Sequence, residues 1–234
     1  MLFQTSMLCY ATYMRIGVFD SGIGGKAVAD ELQKLLPHAE ILFVSDPANV
    51  PYGGRPRHEI FSLTHAAIQP LLEAHCDAIV LACNTATTNA IQLLRAAHPT
   101  QKFIGLEPMI KPAAALTQSH VIAVLATPAT LESPRYQALK KEFASATTVL
   151  EPNCADWAQC IEENAIDAIP LKDTIAPLVA QGVDVIVLGC THYHWLKEAI
   201  ETIAGPDVQV LEPTNAIKNR LDDIISPTIV APPQ

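Results

Sequence analysis

Two of the six cysteines stand at positions where thiol chemistry is expected. Cys83 follows an apolar, strand-like run at 78–81, and Cys190 follows a similar run at 185–188. Hydrogen-bonding residues that favour a helix start come directly after each of them. A thiol between a strand end and a helix start lies in the positive field of the helix N-terminus, which predicts a pKa lowered from about 8.5 towards neutrality. Both thiols are therefore candidates for giving and taking a proton.

The two cysteines belong to a repeat within the chain. Three pairs of segments match in the same order, at offsets of 107, 106 and 105 residues: 77–83 with 184–190, 16–19 with 122–125, and 106–108 with 211–213. Such a series predicts two halves of about 105 residues with related topology. If the halves face each other, the two thiols approach one ligand carbon from opposite sides, as inversion of a stereocentre requires. The sulfurs would then lie about 7 Å apart, too far for a disulfide.

Alternating strand-like and helix-like segments supply the scaffold for these thiols. Short apolar runs predict eight strands: 16–19, 41–44, 78–81, 103–106, 121–125, 148–150, 185–188 and 208–211. Apolar spacing near 3.6 residues predicts eight helices: 27–36, 59–74, 88–97, 133–143, 155–164, 171–180, 193–203 and 215–225. Continuous apolar strands separated by helices are typical of parallel sheets covered on both faces.

We therefore expect an α/β fold of two similar doubly wound domains with mainly parallel sheets, related by a pseudo-twofold axis, with the active site between them. Residues 14–107 plus 212–234 should form the first domain and 108–211 the second, with 1–13 as an N-terminal extension. In such sheets ligands collect beyond the carboxyl ends of the strands, so the polar residues that follow a strand matter most.

Composition excludes several classes of protein. The 234 residues are 50% hydrophobic and 17% charged, which provides material for a sizeable core and excludes a disordered chain. The sequence contains no run of about 18 apolar residues, which is the length that would predict a membrane span. The net charge of −9, without an extended Lys/Arg cluster, disfavours nucleic acid and anionic membranes as partners. No cysteines stand at C-x2-C spacing, so we expect free thiols in a reducing cytoplasm.

Other site chemistries fit less well. The loop from Asp20 to Lys26 is rich in glycine but lacks the residues of a phosphate-binding P-loop, and it meets only the Gly-or-Ala variant of the dinucleotide pattern. It reads as a tight turn exposing Asp20 and Ser21. Cys190, His192 and His194 have no second ligand pair at zinc-site spacing, so no metal is expected. Lys26 and Lys111 have no motif that would support a pyridoxal phosphate site. Cys9, Cys76, Cys154 and Cys160 are interpreted as buried or incidental.

Four motifs in one order resemble those of glutamate racemase, in the aspartate/glutamate racemase superfamily. They are Asp20-Ser21-Gly22-x-Gly24-Gly25, Pro51-Tyr52-Gly53, Ala82-Cys83-Asn84-Thr85-Ala86-Thr87 and Gly189-Cys190-Thr191-His192-Tyr193. The resemblance covers about residues 14–225. It implies a cofactor-independent racemase that supplies D-glutamate for peptidoglycan, with the substrate held between two α/β domains. Members commonly form homodimers.

The resemblance also implies roles for individual residues. Cys83 and Cys190 would be the acid–base pair, with assisting groups at Asp20, Asp46, Glu162 and His192. Glu163 remains an alternative to Glu162. Substrate-binding residues would be Asp20, Ser21, Tyr52, Gly53, Asn84, Thr85, Thr127, Thr191 and His192. The sequence departs from the family pattern at Lys26, at Gly54-Arg55-Pro56 and at His194-Trp195, none of which is a matched catalytic position.

Mechanistically, we expect Asp20 and His192 to bias which thiol is ionised. Neutral donors from Ser21 and the Tyr52-Gly53 loop would hold the side-chain carboxylate of the substrate. Other functions remain open from the residues alone: a racemase of aspartate or another amino acid, a single-cysteine decarboxylase, a two-lobed amino-acid-binding protein, and a nucleotide-dependent oxidoreductase.

Overall fold

The computed structural model of the protein describes residues 14–212 and Leu221. Within them the chain forms eight strands: β1 (Met14–Asp20), β2 (Ala39–Ser45), β3 (Ala78–Leu81), β4 (Phe103–Gly105), β5 (Val121–Leu125), β6 (Thr148–Leu150), β7 (Val185–Leu188) and β8 (Gln209–Leu211). Each overlaps one of the eight predicted strands. The expected extension 1–13, with Cys9, and the expected helix 215–225, apart from Leu221, lie outside the described residues.

The same residues form ten α-helices between and after these strands: α1 (Gly24–Leu35), α2 (Arg57–Ala67), α3 (Gln69–Glu73), α4 (Asn84–Ala97), α5 (Ile110–Leu116), α6 (Pro128–Leu131), α7 (Pro134–Phe143), α8 (Trp157–Glu162), α9 (Leu171–Ala180) and α10 (Lys197–Ala204). Two 3₁₀-helices lie at Ile166–Ala168 and Thr191–Leu196.

The strands form two four-stranded sheets of the same design. One sheet has the order β2-β1-β3-β4 and the other has the order β6-β5-β7-β8. All of these pairings are parallel. Ile16 lies opposite Ala78 in the first sheet, and Ile122 lies opposite Val185 in the second. The sequence repeat is thus a structural repeat, and the expected two-domain α/β fold is confirmed.

Each sheet buries both of its faces, which explains why the central strands β3, β5 and β7 are apolar throughout. On β3, Ile79 and Leu81 pack in a cluster with Phe19, whereas Val80 packs with Val18 on the opposite face. The second sheet likewise contributes residues to two separate core clusters. A strand buried on both faces has no solvated side to carry polar residues.

Three features of the helices differ from the sequence prediction. The expected helix 59–74 is two helices, because the chain breaks at Ile68 and restarts with Pro70 in the first turn of α3; a proline inside a continuous helix would lack a donor and clash with the preceding turn. The expected helix 193–203 begins as the 3₁₀-helix Thr191–Leu196 before becoming α10. The short helices α5 and α6 were not predicted.

The end of the described chain returns to the first sheet. Leu221 is fully buried in the cluster that contains Val28 and Leu32 of α1. No helix in the ranges 14–212 and Leu221 combines the length and the apolar character needed to cross a membrane.

Candidate active site

The two thiols that the sequence singled out open into one cavity. Cys83 precedes α4 and Cys190 precedes the 3₁₀-helix Thr191–Leu196, each just after a central strand of its sheet. The cavity between them has a volume of about 20 Å³. Ten predicted site residues line it: Ser21, Tyr52, Gly53, Cys83, Asn84, Thr85, Thr127, Cys190, Thr191 and His192. Residues from both sheets therefore meet around a single small space.

Cys83 is buried, and its nearest polar partner is a hydroxyl. Its sulfur lies 3.2 Å from the Ser21 hydroxyl oxygen and accepts the Ala86 N–H at 3.4 Å. Burial, together with the charge of the nearby Asp20, raises the pKa of the Cys83 thiol to about 12, although the hydrogen bonds of Ser21 and the Ala86 N–H act in the opposite direction. The lowered pKa expected from the helix start is therefore wrong here, because desolvation of the thiolate outweighs the helix N-terminus.

Cys190 instead has an imidazole beside it. His192 Nδ1 lies 3.6 Å from the Cys190 sulfur, and His192 Nε2 lies 2.5 Å from Glu162 Oε1. Burial opposes a charge on His192, but its hydrogen bonds to Cys190 and Glu162, with the charge of Asp20, raise its pKa to about 11. His192 is thus an imidazolium at neutral pH, with one N–H facing the carboxylate and the other facing the sulfur.

Glu162 completes this chain of three groups. The hydrogen bond with His192 lowers the pKa of the Glu162 carboxyl against the effect of burial, and the main-chain N–H of Ile23 lowers it further. Ile23 N donates to Glu162 Oε1 at 2.9 Å. The neighbouring Glu163 instead accepts from Gln159 at an exposed position, at 2.8 Å. Of the two candidates, the structure brings Glu162 to the site.

Asp20 lies next to the cavity at the end of β1, fully buried. It accepts the Gly22 N–H and the Thr191 hydroxyl, each at 2.8 Å. Burial raises the pKa of its carboxyl, although the His192 charge and these donors act against that shift. Asp20 therefore links the turn after β1 to the segment that carries Cys190 and His192.

Glycines allow the two halves to come this close. A Cβ atom at Gly22 would lie 1.9 Å from Glu162 Oε1 and 2.9 Å from His192 Nε2. A Cβ at Gly24 would lie 2.5 Å from the Thr191 hydroxyl oxygen. Real Cβ atoms essentially never approach that closely, so these positions require glycine as long as the catalytic candidates of the other half stay in place.

A second set of contacts joins the halves on the far side of the cavity. The Thr85 and Thr127 hydroxyls lie 2.9 Å apart, and Thr130 lies 3.3 Å and 3.1 Å from them. Ala129 N donates to Gly53 O at 2.9 Å. The hydroxyl of Thr130 was not among the predicted site residues, although its spacing of three residues from Thr127 could have suggested it.

Tyr52 and Asp46 form a supporting pair. The Tyr52 hydroxyl donates to Asp46 Oδ2 at 2.7 Å, and burial with this bond raises the Tyr52 pKa. Asn49 donates to both Asp46 oxygens. Arg55 donates to the Asn49 carbonyl oxygen at 2.8 Å. Among the described residues, the Asp46 side chain bonds to Tyr52 and Asn49 and not directly to either thiol. The assisting role that the resemblance implies for Asp46 stays a prediction.

Among the described residues, Asn84 is the buried polar residue whose side chain the fold leaves unsatisfied. It is 2% exposed, and neither its amide nitrogen nor its amide oxygen has a hydrogen-bond partner within that part of the chain. It borders both the small cavity and a separate cavity of about 310 Å³ beside α1. Buried polar atoms without partners are rare in folded proteins, so a ligand that bonds to Asn84 would remove a cost. Among the residues described, no three His, Cys, Asp or Glu side chains gather as metal ligands.

Comparisons with known proteins agree with these features. The family model described as Asp/Glu/Hydantoin racemase matches residues 26–221. A curated glutamate racemase from Herpetosiphon aurantiacus is 39% identical over 223 residues, covering 94% of this chain and 87% of that relative.

Solved structures show the same similarity. The Francisella tularensis glutamate racemase in complex with D-glutamate has a TM-score of 0.78 at 26% identity, covering 95% of this chain and 84% of that one. The Escherichia coli glutamate racemase in complex with L-glutamate and the activator UDP-MurNAc-ala has a TM-score of 0.80 at 27% identity, with coverages of 91% and 82%.

Proposed function

The chain belongs to the Asp/Glu/hydantoin racemase family and, within it, is an enzyme of the glutamate racemase type; from this premise, we propose that it interconverts L- and D-glutamate by proton transfer at Cα between Cys83 and Cys190, without a cofactor. The D-glutamate formed would supply peptidoglycan synthesis, and with it cell-wall biogenesis and cell shape. The observation that carries the proposal is the single cavity lined by one thiol from each half.

The reaction needs one base and one acid on opposite faces of Cα. The thiolate of one cysteine takes the α-proton: an S–H bond forms, the Cα–H bond breaks, and the electron pair delocalises into the α-carboxylate. The thiol of the other cysteine then gives its proton to the opposite face of Cα and becomes the thiolate. The reverse reaction exchanges the two roles, so each turnover leaves the proton on the other sulfur.

The surroundings of the two thiols support an unequal starting state. The raised pKa of Cys83 keeps that sulfur protonated at neutral pH. The His192 imidazolium, 3.6 Å from the Cys190 sulfur, stabilises negative charge there. Cys190 would therefore be the resting base and Cys83 the resting acid. His192 would thus bias which thiol is ionised, and Glu162 would hold its imidazolium in place.

Substrate binding would use the neutral donors around the cavity. The unpartnered Asn84 amide and the Thr85 hydroxyl, both at the start of α4, would hold one carboxylate near the helix N-terminus. The Tyr52-Gly53 loop, Ser21 and Thr127 would hold the other. The Thr191 hydroxyl donates to Asp20. It would hold the Asp20 carboxylate in a position to bind the ammonium group of the substrate.

Residues 14–107 plus 212–234 would form one domain and 108–211 the other, a division supported by the burial of Leu221 against α1. The enzyme would act in the cytoplasm as a homodimer. Its partner is a small acidic amino acid, not nucleic acid or a membrane, in keeping with the net charge of −9.

Circular dichroism of the purified protein with L- and D-glutamate, and separately with L- and D-aspartate, tests the proposal. We expect each glutamate enantiomer to lose its optical signal without any additive, and aspartate to keep its signal. Racemisation of aspartate alone would assign the chain to another substrate. Ligand binding with no loss of signal would indicate a two-lobed binding protein. A requirement for added pyridoxal phosphate would overturn the cofactor-free mechanism.

A further inference from the structure

The main chain of the turn after β1 contacts the acid–base residues Glu162 and His192 of the other half. Ile23 N donates to Glu162 Oε1 at 2.9 Å, and the same oxygen bonds to His192 Nε2. Ile23 stands at the N-cap of α1, where the first main-chain N–H groups have no partner within the helix. Its side chain is 45% exposed. The group that reaches the site is therefore the amide, and the side chain points away from this contact.

The flanking glycines allow this amide to approach the other half closely. A Cβ at Gly22 would overlap Glu162 Oε1, and a Cβ at Gly24 would overlap the Thr191 hydroxyl. The turn is thus built so that its backbone, without any side chain in between, touches the groups beside Cys190. On the opposite side of the turn, Thr191 donates to Asp20. Two independent bonds therefore connect the halves directly next to one thiol.

We propose that the main-chain N–H of Ile23 is a positioning group for Cys190: it fixes the Glu162 carboxylate that holds the His192 imidazolium against the sulfur, and it does so only when the two halves are together. This role rests on the proposed racemase function. The charged and titratable groups around His192 are Glu162, Cys190 and Asp20. Within the residues that the structure describes, the Ile23 N–H is the main-chain donor of the first half that bonds to the Glu162–His192 pair.

The physical effect of the donor has a definite sign. An N–H bonded to a carboxylate stabilises its charged form, in agreement with the lowered pKa of Glu162. Without it, Glu162 is more basic and takes up a proton at a higher pH. A protonated Glu162 no longer holds the imidazolium in position. The positive charge of His192 is then no longer fixed beside the Cys190 sulfur. As the pH is lowered, the activity that depends on Cys190 should therefore be lost at a higher pH than in the unchanged protein.

A pair of variants at one position isolates the amide. Ile23→Pro removes the N–H, and the observed φ of −77° lies within the range of proline. Ile23→Ala removes the same side chain and keeps the N–H. We expect kcat/KM for glutamate to be about 10- to 100-fold lower in Ile23→Pro than in Ile23→Ala, the cost of one hydrogen bond to a charged group. The low-pH limb of kcat/KM should move to higher pH in Ile23→Pro alone. Equal values and equal pH profiles in the two variants would overturn the proposal.

A second measurement does not depend on turnover. Carbon-13 NMR titration of the Glu162 carboxyl, assigned by its absence in Glu162→Gln, should give a higher pKa in Ile23→Pro than in Ile23→Ala. An unshifted Glu162 overturns the positioning role even if both variants racemise glutamate, whereas a shifted Glu162 in a chain that racemises nothing overturns only the proposed function. If Ile23→Pro does not fold, an ester linkage in place of the residue 23 amide removes the same N–H, and the same outcomes apply.

Discussion

The Ser21 hydroxyl oxygen lies 3.2 Å from the Cys83 sulfur. The corresponding neighbour of Cys190 is the His192 ring nitrogen, at 3.6 Å. One thiol of the pair therefore has a neutral partner and the other has a cationic partner, although both occupy equivalent places in the repeated fold.

Alkylation should show that Cys83 is protonated at rest. With a pKa near 12, its thiolate fraction at pH 8 is only about 10⁻⁴. We expect the rate of its reaction with iodoacetamide, followed by peptide mass spectrometry, to keep rising up to pH 11. Cys160, half-buried and outside the small cavity, serves as an internal reference. A rate at Cys83 that levels off below pH 9 would contradict the raised pKa.

Both thiols should be required for racemisation. Cys83→Ser and Cys190→Ser each replace a reacting group by a much weaker acid, so we expect kcat to fall by about 10³-fold or more. Cys160→Ser is the matched control, since its sulfur takes no part in the cavity. Circular dichroism in the far ultraviolet checks that each variant is folded. Full activity in either single variant at position 83 or 190 would refute the two-thiol mechanism.

Isotope incorporation distinguishes two bases from one. In deuterated water the thiol that delivers the proton has exchanged with solvent, whereas the thiol that removed the α-proton returns that same proton on reversal. The product enantiomer should therefore gain deuterium at Cα ahead of the starting enantiomer, as measured by NMR early in the reaction. Equal early labelling of both enantiomers would indicate one shared base.

Asp46 should act through Tyr52. Asp46→Ala removes the acceptor of the Tyr52 hydroxyl, and Tyr52→Phe removes the donor. Each change should raise KM for glutamate by about tenfold while changing kcat less, because both loosen the loop that would bind the substrate. The double variant should be no worse than the poorer single variant, since residues that act as a unit are not additive. Independent, multiplying effects would show that Asp46 has a separate role.

Stability should depend on pH through His192. The pKa of this side chain is raised from its unfolded value of about 6.5 to about 11, so its stabilising contribution is complete below about pH 6.5 and disappears as the pH rises through 11. We expect His192→Gln to be less stable by about 1–3 kcal/mol at pH 7 and the difference to shrink towards pH 11. Urea unfolding at several pH values measures it. A constant difference over this range would show that the imidazole contributes no charge-dependent stability.

The pattern of apolar residues predicted the strands well because the buried strands are almost entirely apolar. Both faces of each sheet are buried, so strands such as β3 and β7 are short apolar runs bounded by polar residues. The boundaries of the helices were less predictable. The break at Ile68 depends on how Pro70 is accommodated, and the short helices α5 and α6 carry too few turns for periodicity to reveal them.

The residues that line the cavity could be predicted from the sequence, whereas their electrostatics could not. Ten of the predicted residues line one cavity, since each follows a strand at the same edge of a sheet. The helix-start argument for Cys83 failed because sequence does not reveal how completely a thiol is desolvated. The amide of Ile23 left no signal in the sequence, because any residue except proline provides one.

The size of the space between the thiols has a consequence for inhibitors. About 20 Å³ accommodates a single water molecule, and glutamate has ten non-hydrogen atoms. A compound as large as glutamate therefore fits only if the residues that line this cavity on the two lobes move apart. Larger inhibitors should consequently bind an inactive form in which the two lobes lie apart. Their potency should depend on the binding energy gained from contacts with the separated lobes and not on resemblance to the planar carbanion.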